Sequence, residues 1–262
     1  MFVNIYEKRY GRRLALENIH LNFSKGKTAL IIGTSGAGKS TMIKCIIGTT
    51  GFSGNIRDYD PEDIGYIPQF PMLNTMETVE DALYWSALFS RRYASKKDAH
   101  EAALAYIKMM GLSGEKRSKI KSLSGGQKQR VSIAKELIRK KDIIIADEID
   151  TGLDAGVSHA LIKTIADFTH KQNKTTIVIS HNLSNMRLYD KIIILVKDSH
   201  GVGRVAYSGS ADKMRDFFGV DEYSDILVKL NSPDEGGLGE ADTYIRKYDR
   251  LKRGRVHNEK YH

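Results

Sequence analysis

The stretch Gly33 to Ser40 reads GTSGAGKS and matches the spacing G-x-x-x-x-G-K-[ST]. It follows an apolar run, Thr28 to Ile32, and precedes Thr41 to Ile47, whose spacing suits a helix. In that context Gly33, Gly36 and Gly38 let successive backbone N–H groups close around phosphate oxygens at a helix N-terminus, where the dipole favours anions. Lys39 is then placed to reach the β- and γ-phosphates of a nucleoside triphosphate, ATP in the first instance, and the Ser40 hydroxyl to ligate magnesium. Thr34, Ser35, Ala37 and Thr41 complete the predicted nucleotide-binding stretch.

A second group of chemically capable residues closes the apolar run IIIADE, Ile143 to Glu148. Two acids at the end of a buried strand emerge at the carboxyl edge of a sheet, where open α/β sheets bind their ligands. Asp147 fits a magnesium-holding role, which leaves Glu148 free to polarise a water in line with the terminal phosphate.

General sequence physics does not demand the pentapeptide LSGGQ at Leu123 to Gln127. Here the chain resembles the ATP-binding-cassette ATPases, whose signature these letters reproduce, and the other motifs of that family follow in order. Gln69, after IGYIP, matches the family's Q-loop glutamine, a magnesium and water contact. Thr151-Gly152-Leu153-Asp154 resembles the D-loop, and His181, after TTIVIS, matches the switch histidine that positions the γ-phosphate. Tyr10 sits where the family places an aromatic that stacks on adenine, with Tyr6 a nearby competitor.

The resemblance covers nearly everything from Phe2 to Gly219. It implies Glu148, His181 and Gln69 as the catalytic set and Ser40, Gln69 and Asp147 as magnesium contacts. Ser124, Gly125, Gly126 and Gln127 would form the segment that caps the nucleotide of a second ATPase subunit, in a homo- or heterodimer. Two departures stand out. Ile149 replaces a usual proline, and Thr151-Gly152 replaces a usual serine-alanine pair. That glycine, together with TMETVEDALYWSALFS and YSGSADKMRDFFG, is similar to the G-like subfamily, which pairs with type-2 exporter membrane domains.

The elements that must hold these residues follow from apolar periodicity. Phe2 to Tyr6 and Leu14 to Phe23 read as N-terminal strands, Asp63 to Ile67, Thr175 to Ser180 and Lys191 to Val196 as further strands. Helices are expected across Thr75 to Gly111, from Gly125 to about Lys140, over Ser158 to Lys171, and briefly over Leu183 to Tyr189. Alternating strands and helices predict an α/β fold: a P-loop NTPase core of mostly parallel sheet with flanking helices. An N-terminal antiparallel β subdomain and an inserted α-helical subdomain, about 75–135, complete the cassette over 1–220. Residues 221–262 are expected as a polar, basic extension in which Asn231 to Glu240 is a loop and the stretch from Arg246 to His262 is frayed.

Composition narrows the setting. With 41% hydrophobic and 28% charged residues over 262 positions, the chain is expected to be globular and to contain no membrane-spanning stretch. Its polar, basic N-terminus and single cysteine, Cys45, point to a cytoplasmic protein, and the resemblance to transporter ATPases implies a peripheral place on the inner face of the cell membrane. The net charge of +9 is spread in short clusters, so specific nucleic-acid binding is not expected. The main expectation is the ATPase subunit of a transporter, gripping a separate transmembrane permease through residues such as Phe70, Met72, Tyr84 or Trp85. The alternative is a soluble cassette of the iron-sulphur assembly type. Cassettes of DNA repair insert long coiled coils or zinc modules, and only a short helical region separates Gln69 from Leu123.

Overall fold

The computed structural model describes residues 1–258. Its strands are β1 (Phe2–Tyr10), β2 (Arg13–Asn22), β3 (Lys27–Gly33), β4 (Ser53–Arg57), β5 (Ile64–Ile67), β6 (Ile143–Asp147), β7 (Thr175–Ile179), β8 (Lys191–Lys197) and β9 (Gly203–Gly209). Its helices are α1 (Lys39–Ile46), α2 (Val79–Phe89), α3 (Lys96–Met109), α4 (Gly125–Leu137), α5 (Ala155–Lys171), α6 (Ala211–Phe218), α7 (Tyr223–Leu230) and α8 (Ala241–Asn258). The chain divides into two compact units, one formed by Met1–Pro61 with the chain from Leu183 onward, the other by Glu62–Asn182.

The first unit carries the phosphate loop. Its strands run in the order β4-β1-β2-β9-β8-β3. β1 pairs antiparallel with both β2 and β4, which is the expected N-terminal antiparallel layer. β3 pairs parallel with β8, Leu30 opposite Ile192. Their runs, Ala29 to Ile32 and Ile192 to Val196, are buried throughout, the pattern of a strand covered on both faces. β8 then turns back as an antiparallel hairpin into β9.

The second unit carries the acids. Its three strands, β7-β6-β5, are all parallel, with Ile145 opposite both Tyr66 and Ile177. Helices α2, α3 and α4 pack together as the inserted helical layer. Each begins on a residue suited to capping: Thr78 accepts from the Asp81 N–H, Ser95 from the Asp98 N–H and Ser124 from the Gln127 N–H.

Several sequence expectations differ from this architecture. The first strand runs on to Tyr10 rather than ending at Tyr6. The sequence reading does not include β4 and β9: β4 is five residues long with Gly54 inside it, and β9 begins and ends on glycine, which weakens an alternation signal. The short helix expected over Leu183 to Tyr189 is a single 3-10 turn, Met186–Leu188. Beyond Gly219 the chain forms α7 and α8 on either side of the expected loop, so residues 246–258 are helical rather than frayed. Ala241, Tyr244 and Ile245 supply the buried stripe of α8, and the Tyr244 ring lies 4.5 Å from Phe218. The final four residues of the segment expected to fray, 259–262, lie outside the described residues. Among the described residues, no helix is long and apolar enough to cross a membrane.

Candidate functional site

The phosphate loop is built by close backbone approach. A Cβ on Gly33 would fall 1.8 Å from the Leu195 carbonyl oxygen, so only glycine lets β3 end this tightly against β8. Gly38 caps α1 with a left-handed φ of 91°, and its missing side chain makes room for Leu16. The Thr34 N–H donates to the Leu195 carbonyl at 3.2 Å, and the Ala37 N–H to the Thr34 carbonyl at 3.2 Å. Lys39 is buried, and its Nζ donates to the carbonyls of Gly33 at 2.9 Å and Thr34 at 3.1 Å. The ammonium is thereby held over the loop rather than extended into solvent. Ser35, Gly36 and Ser40 are exposed, Ala37 is buried, and Thr41 is half-buried on the first turn of α1.

Tyr10, at the end of β1, presents an exposed ring with the Lys8 ammonium 4.4 Å from its centroid. Lys8 is itself buried and held by the Thr50 hydroxyl and the Gly51 carbonyl. Tyr6 is equally exposed, its ring 6.0 Å from that of His20. Exposure therefore does not separate the two, but Lys8 fixes only the Tyr10 ring.

In the other unit the structure brings three of the sequence candidates together on one carboxylate. The Gln69 amide nitrogen donates to one Glu148 oxygen at 2.8 Å, and the His181 Nε2 lies 3.1 Å from the other. Glu148 follows the buried strand β6 and holds a left-handed φ of 48°, while its N–H donates to the Ile179 carbonyl at 2.8 Å. A non-glycine residue in that region carries strain, which neighbouring contacts must hold in place. Here those contacts include the hydrogen bonds of the carboxylate with the Q-loop and switch residues.

Asp147, the last residue of β6, accepts a hydrogen bond from the Tyr66 hydroxyl at 3.0 Å. Register explains the contact: Tyr66 pairs with Ile145, so Tyr66 and Asp147 share a face two positions apart. Burial first, then the Asp147 charge, pushes the Tyr66 phenol up to about 12, so it remains a donor through neutral pH.

Sequence reasoning overlooked Tyr66 and a buried network around Asp150. The Ser180 hydroxyl donates to the two Asp150 oxygens at 2.8 and 2.9 Å, Ser158 approaches at 3.4 Å, and all three residues are more than nine-tenths buried. Asp150 lies two positions after Glu148, and Ser180 immediately precedes His181. The network thus ties together the two backbone segments that carry those side chains. No local spacing could have revealed it, because Asp150 and Ser180 are thirty residues apart.

The signature segment opens α4. Ser124 and Gln127 form a reciprocal capping box: the Gln127 N–H donates to the Ser124 hydroxyl at 3.2 Å and the Ser124 N–H to the Gln127 side chain at 2.9 Å. Gln127 also donates to Glu115 at 3.0 Å. Ser124 and Gly125 are exposed and Gly126 half-buried, so the helix N-terminus faces outward with its dipole available to an anion.

Residues 16–151 match the family model described as ABC transporter. A phosphonates import ATP-binding protein from Fusobacterium nucleatum is 34% identical over 213 residues, covering 72% of this chain and 85% of that protein. A methionine import ATP-binding protein from Campylobacter jejuni is 26% identical over 282 residues, covering 92% and 83%. Among solved structures, an ATP-binding subunit of an ABC transporter superposes with a TM-score of 0.72 at 26% identity over 86% of this chain and 96% of that one. A dimeric ATP-binding cassette in a post-hydrolysis state with ADP and Pi superposes with a TM-score of 0.65 at 26% identity, over 80% and 97%.

Proposed function

The chain belongs to the ABC transporter family, and we propose from that premise that it is the ATP-hydrolysing subunit of a transporter, pairing with a second such subunit to drive a separate membrane permease. The observation that carries the catalytic half of this reading is the Glu148 carboxylate held between Gln69 and His181. A carboxylate so placed accepts a proton from, and orients, the water that attacks the γ-phosphate. As the bond to the β-phosphate breaks, the N–H groups and Lys39 ammonium of the phosphate loop take up the growing negative charge.

We assign magnesium to Ser40, Asp147 and Gln69. Among the described residues no three His, Cys, Asp or Glu side chains cluster as a metal cage. A hydroxyl, a carboxylate and an amide are oxygen ligands of the kind an octahedral cation takes beside phosphate and water, and the family resemblance is what groups Ser40 with the other two. Bound there, magnesium would neutralise charge on the phosphates. Tyr10 is assigned to the adenine ring, its face backed by Lys8. Ser124, Gly125, Gly126 and Gln127 are assigned to the γ-phosphate of the partner subunit's nucleotide, because at this exposed helix start the Gly125 and Gly126 N–H groups precede the intrahelical bonds while the capping box holds those of Ser124 and Gln127.

Import is the direction these observations favour. The relatives reported above are named as import subunits, and so is a zinc import ATP-binding protein of Chromohalobacter salexigens, 30% identical over 81% of this chain. The G-like exporter lean rests partly on Tyr207 to Gly219, and packing accounts for the aromatic residues of that stretch. Tyr207, Phe217 and Phe218 form one buried cluster, which Tyr244 of α8 joins. Such a subunit sits on the inner face of the membrane. Purification from detergent-solubilised membranes should recover a multi-span protein with the chain; recovery in a purely soluble complex would return the iron-sulphur type to first place.

A further inference from the structure

Cationic side chains gather in the first unit at the end of β9 remote from the phosphate loop. Ser208, Gly209 and Ser210 wall two neighbouring cavities of about 370 and 490 Å³. Lys191 lines the first, and Lys213, Lys247 and Lys252 line the second. Three of these lysines meet carbonyl oxygens where a carboxylate would be expected. Lys191 donates to the Asn22 backbone at 2.9 Å, Lys252 to the His20 carbonyl at 3.3 Å, and Lys247 to the Phe217 carbonyl. Carbonyls replace hydration but leave the charge uncancelled.

The arrangement works against itself electrostatically. Burial lowers the pKa of both Lys191 and Lys252, and the Lys252 charge lowers Lys191 further. Three carboxylates lie near: Asp190 lines the first cavity and is engaged by Lys27, Asp216 lines the larger one, and Asp249 partly offsets the strain on Lys252. Against five lysines, Lys27 included, they leave an excess of positive charge around a concave space, where an anion would be favoured. The same cavity offers an apolar wall, Phe217 and Leu251.

We propose that the cavity ringed by Lys213, Lys247 and Lys252 binds a phosphate-bearing ligand, its phosphate taken by the ammonium groups with the Ser208 and Ser210 hydroxyls, and its organic part laid on Phe217 and Leu251. A space of about 490 Å³ suits a small organic phosphate or a phospholipid headgroup better than a bare ion. The site is separate from the nucleotide loop. It lies on the strand whose other end, Gly203, abuts the Ala37 carbonyl of that loop, where an added Cβ would come within 2.2 Å.

The test titrates full-length protein, with ADP saturating the nucleotide loop, against glycerol 3-phosphate by calorimetry and against phosphatidylglycerol vesicles by flotation. Binding to either probe is expected, weakening as salt rises. K213Q, an exposed position with no hydrogen bond to lose, should weaken it a few-fold; K213Q/K247Q/K252Q should weaken it by about tenfold or more. The corresponding triple arginine variant should retain it. Unchanged ATP turnover in all of these variants shows that they are folded and that the ATPase reading stands apart. Binding of glycerol 3-phosphate supports a soluble ligand, and binding of vesicles alone supports a headgroup. Binding of neither probe, equal binding by the triple glutamine variant, or retention only of a random DNA duplex would overturn the proposal.

Discussion

Glu148 is the residue on which turnover should depend most sharply. Glu148→Gln keeps the amide contacts available to Gln69 and His181 but removes the proton acceptor. ATP binding should persist while turnover falls by about 100-fold or more, and size-exclusion chromatography with ATP should show a trapped dimer. Wild-type turnover would remove Glu148 from the catalytic role. Asp150 acts at one remove, through the backbone on which Glu148 and His181 ride. Asp150→Ala and Ser180→Ala each leave a buried polar partner unsatisfied, a loss of about 1–3 kcal/mol of stability. Because both changes break the same hydrogen bonds, the double variant should lose less than the sum of the two, in kcat and in unfolding midpoint alike. Strict additivity would mean that Ser180 and Asp150 act separately. The acids themselves were legible from a short apolar run ending in two carboxylates. This buried brace was not, since it exists only once β6 and β7 lie side by side in register.

At the scale of elements, local chemistry made β3, α1, β6 and α4 readable: each is a dense apolar run or a capped helix adjoining a motif. The C-terminal helix was not readable for a definite reason. Most of the α8 residues with described side chains are charged or polar, and its core stripe is little more than Ala241, Tyr244 and Ile245, too narrow to stand out from the charge around it. Yet Tyr244 meets both Phe217 and Phe218, and its hydroxyl donates to the Phe218 carbonyl at 3.0 Å. Tyr244→Ala should therefore cost about 3 kcal/mol of stability, read as a shift in urea midpoint; a change within experimental scatter would show that α8 is not integral to its unit. The same helix sets a pH dependence on β2. Burial, then the Lys252 charge, hold the His20 imidazole below its ordinary pKa, with Asp249 pulling the other way. A depressed histidine favours its neutral form in the folded state, so its contribution is intact above about pH 6.5 and is lost as pH falls through the folded value. His20→Gln should flatten the loss of stability between neutral and acid pH; an unaltered pH slope would exclude His20 as its source.

For the whole molecule, the apolar surface left in the second unit is where a membrane partner would be read. Phe70 is 77% exposed, Met72 84% and Phe89 75%, with the Trp85 and Phe89 rings stacked 5.6 Å apart. Tyr84, another sequence candidate for this contact, is instead half-buried between Trp85 and His100. Phe70→Asp with Met72→Asp should abolish recovery of the multi-span partner while basal ATP turnover stays unchanged; undiminished recovery would place the grip elsewhere. Pairing with a second copy turns on a smaller detail. The Ser124 oxygen already accepts the Gln127 N–H, and a hydroxyl that has spent a lone pair in this way keeps its one proton to give outward. Aspartate caps a helix about as well as serine, but it has acceptors only and carries a negative charge. An aspartate at position 124 would thus leave the helix as firm as before and turn its welcome for a foreign phosphate into repulsion, giving a sound monomer that ATP cannot zip together.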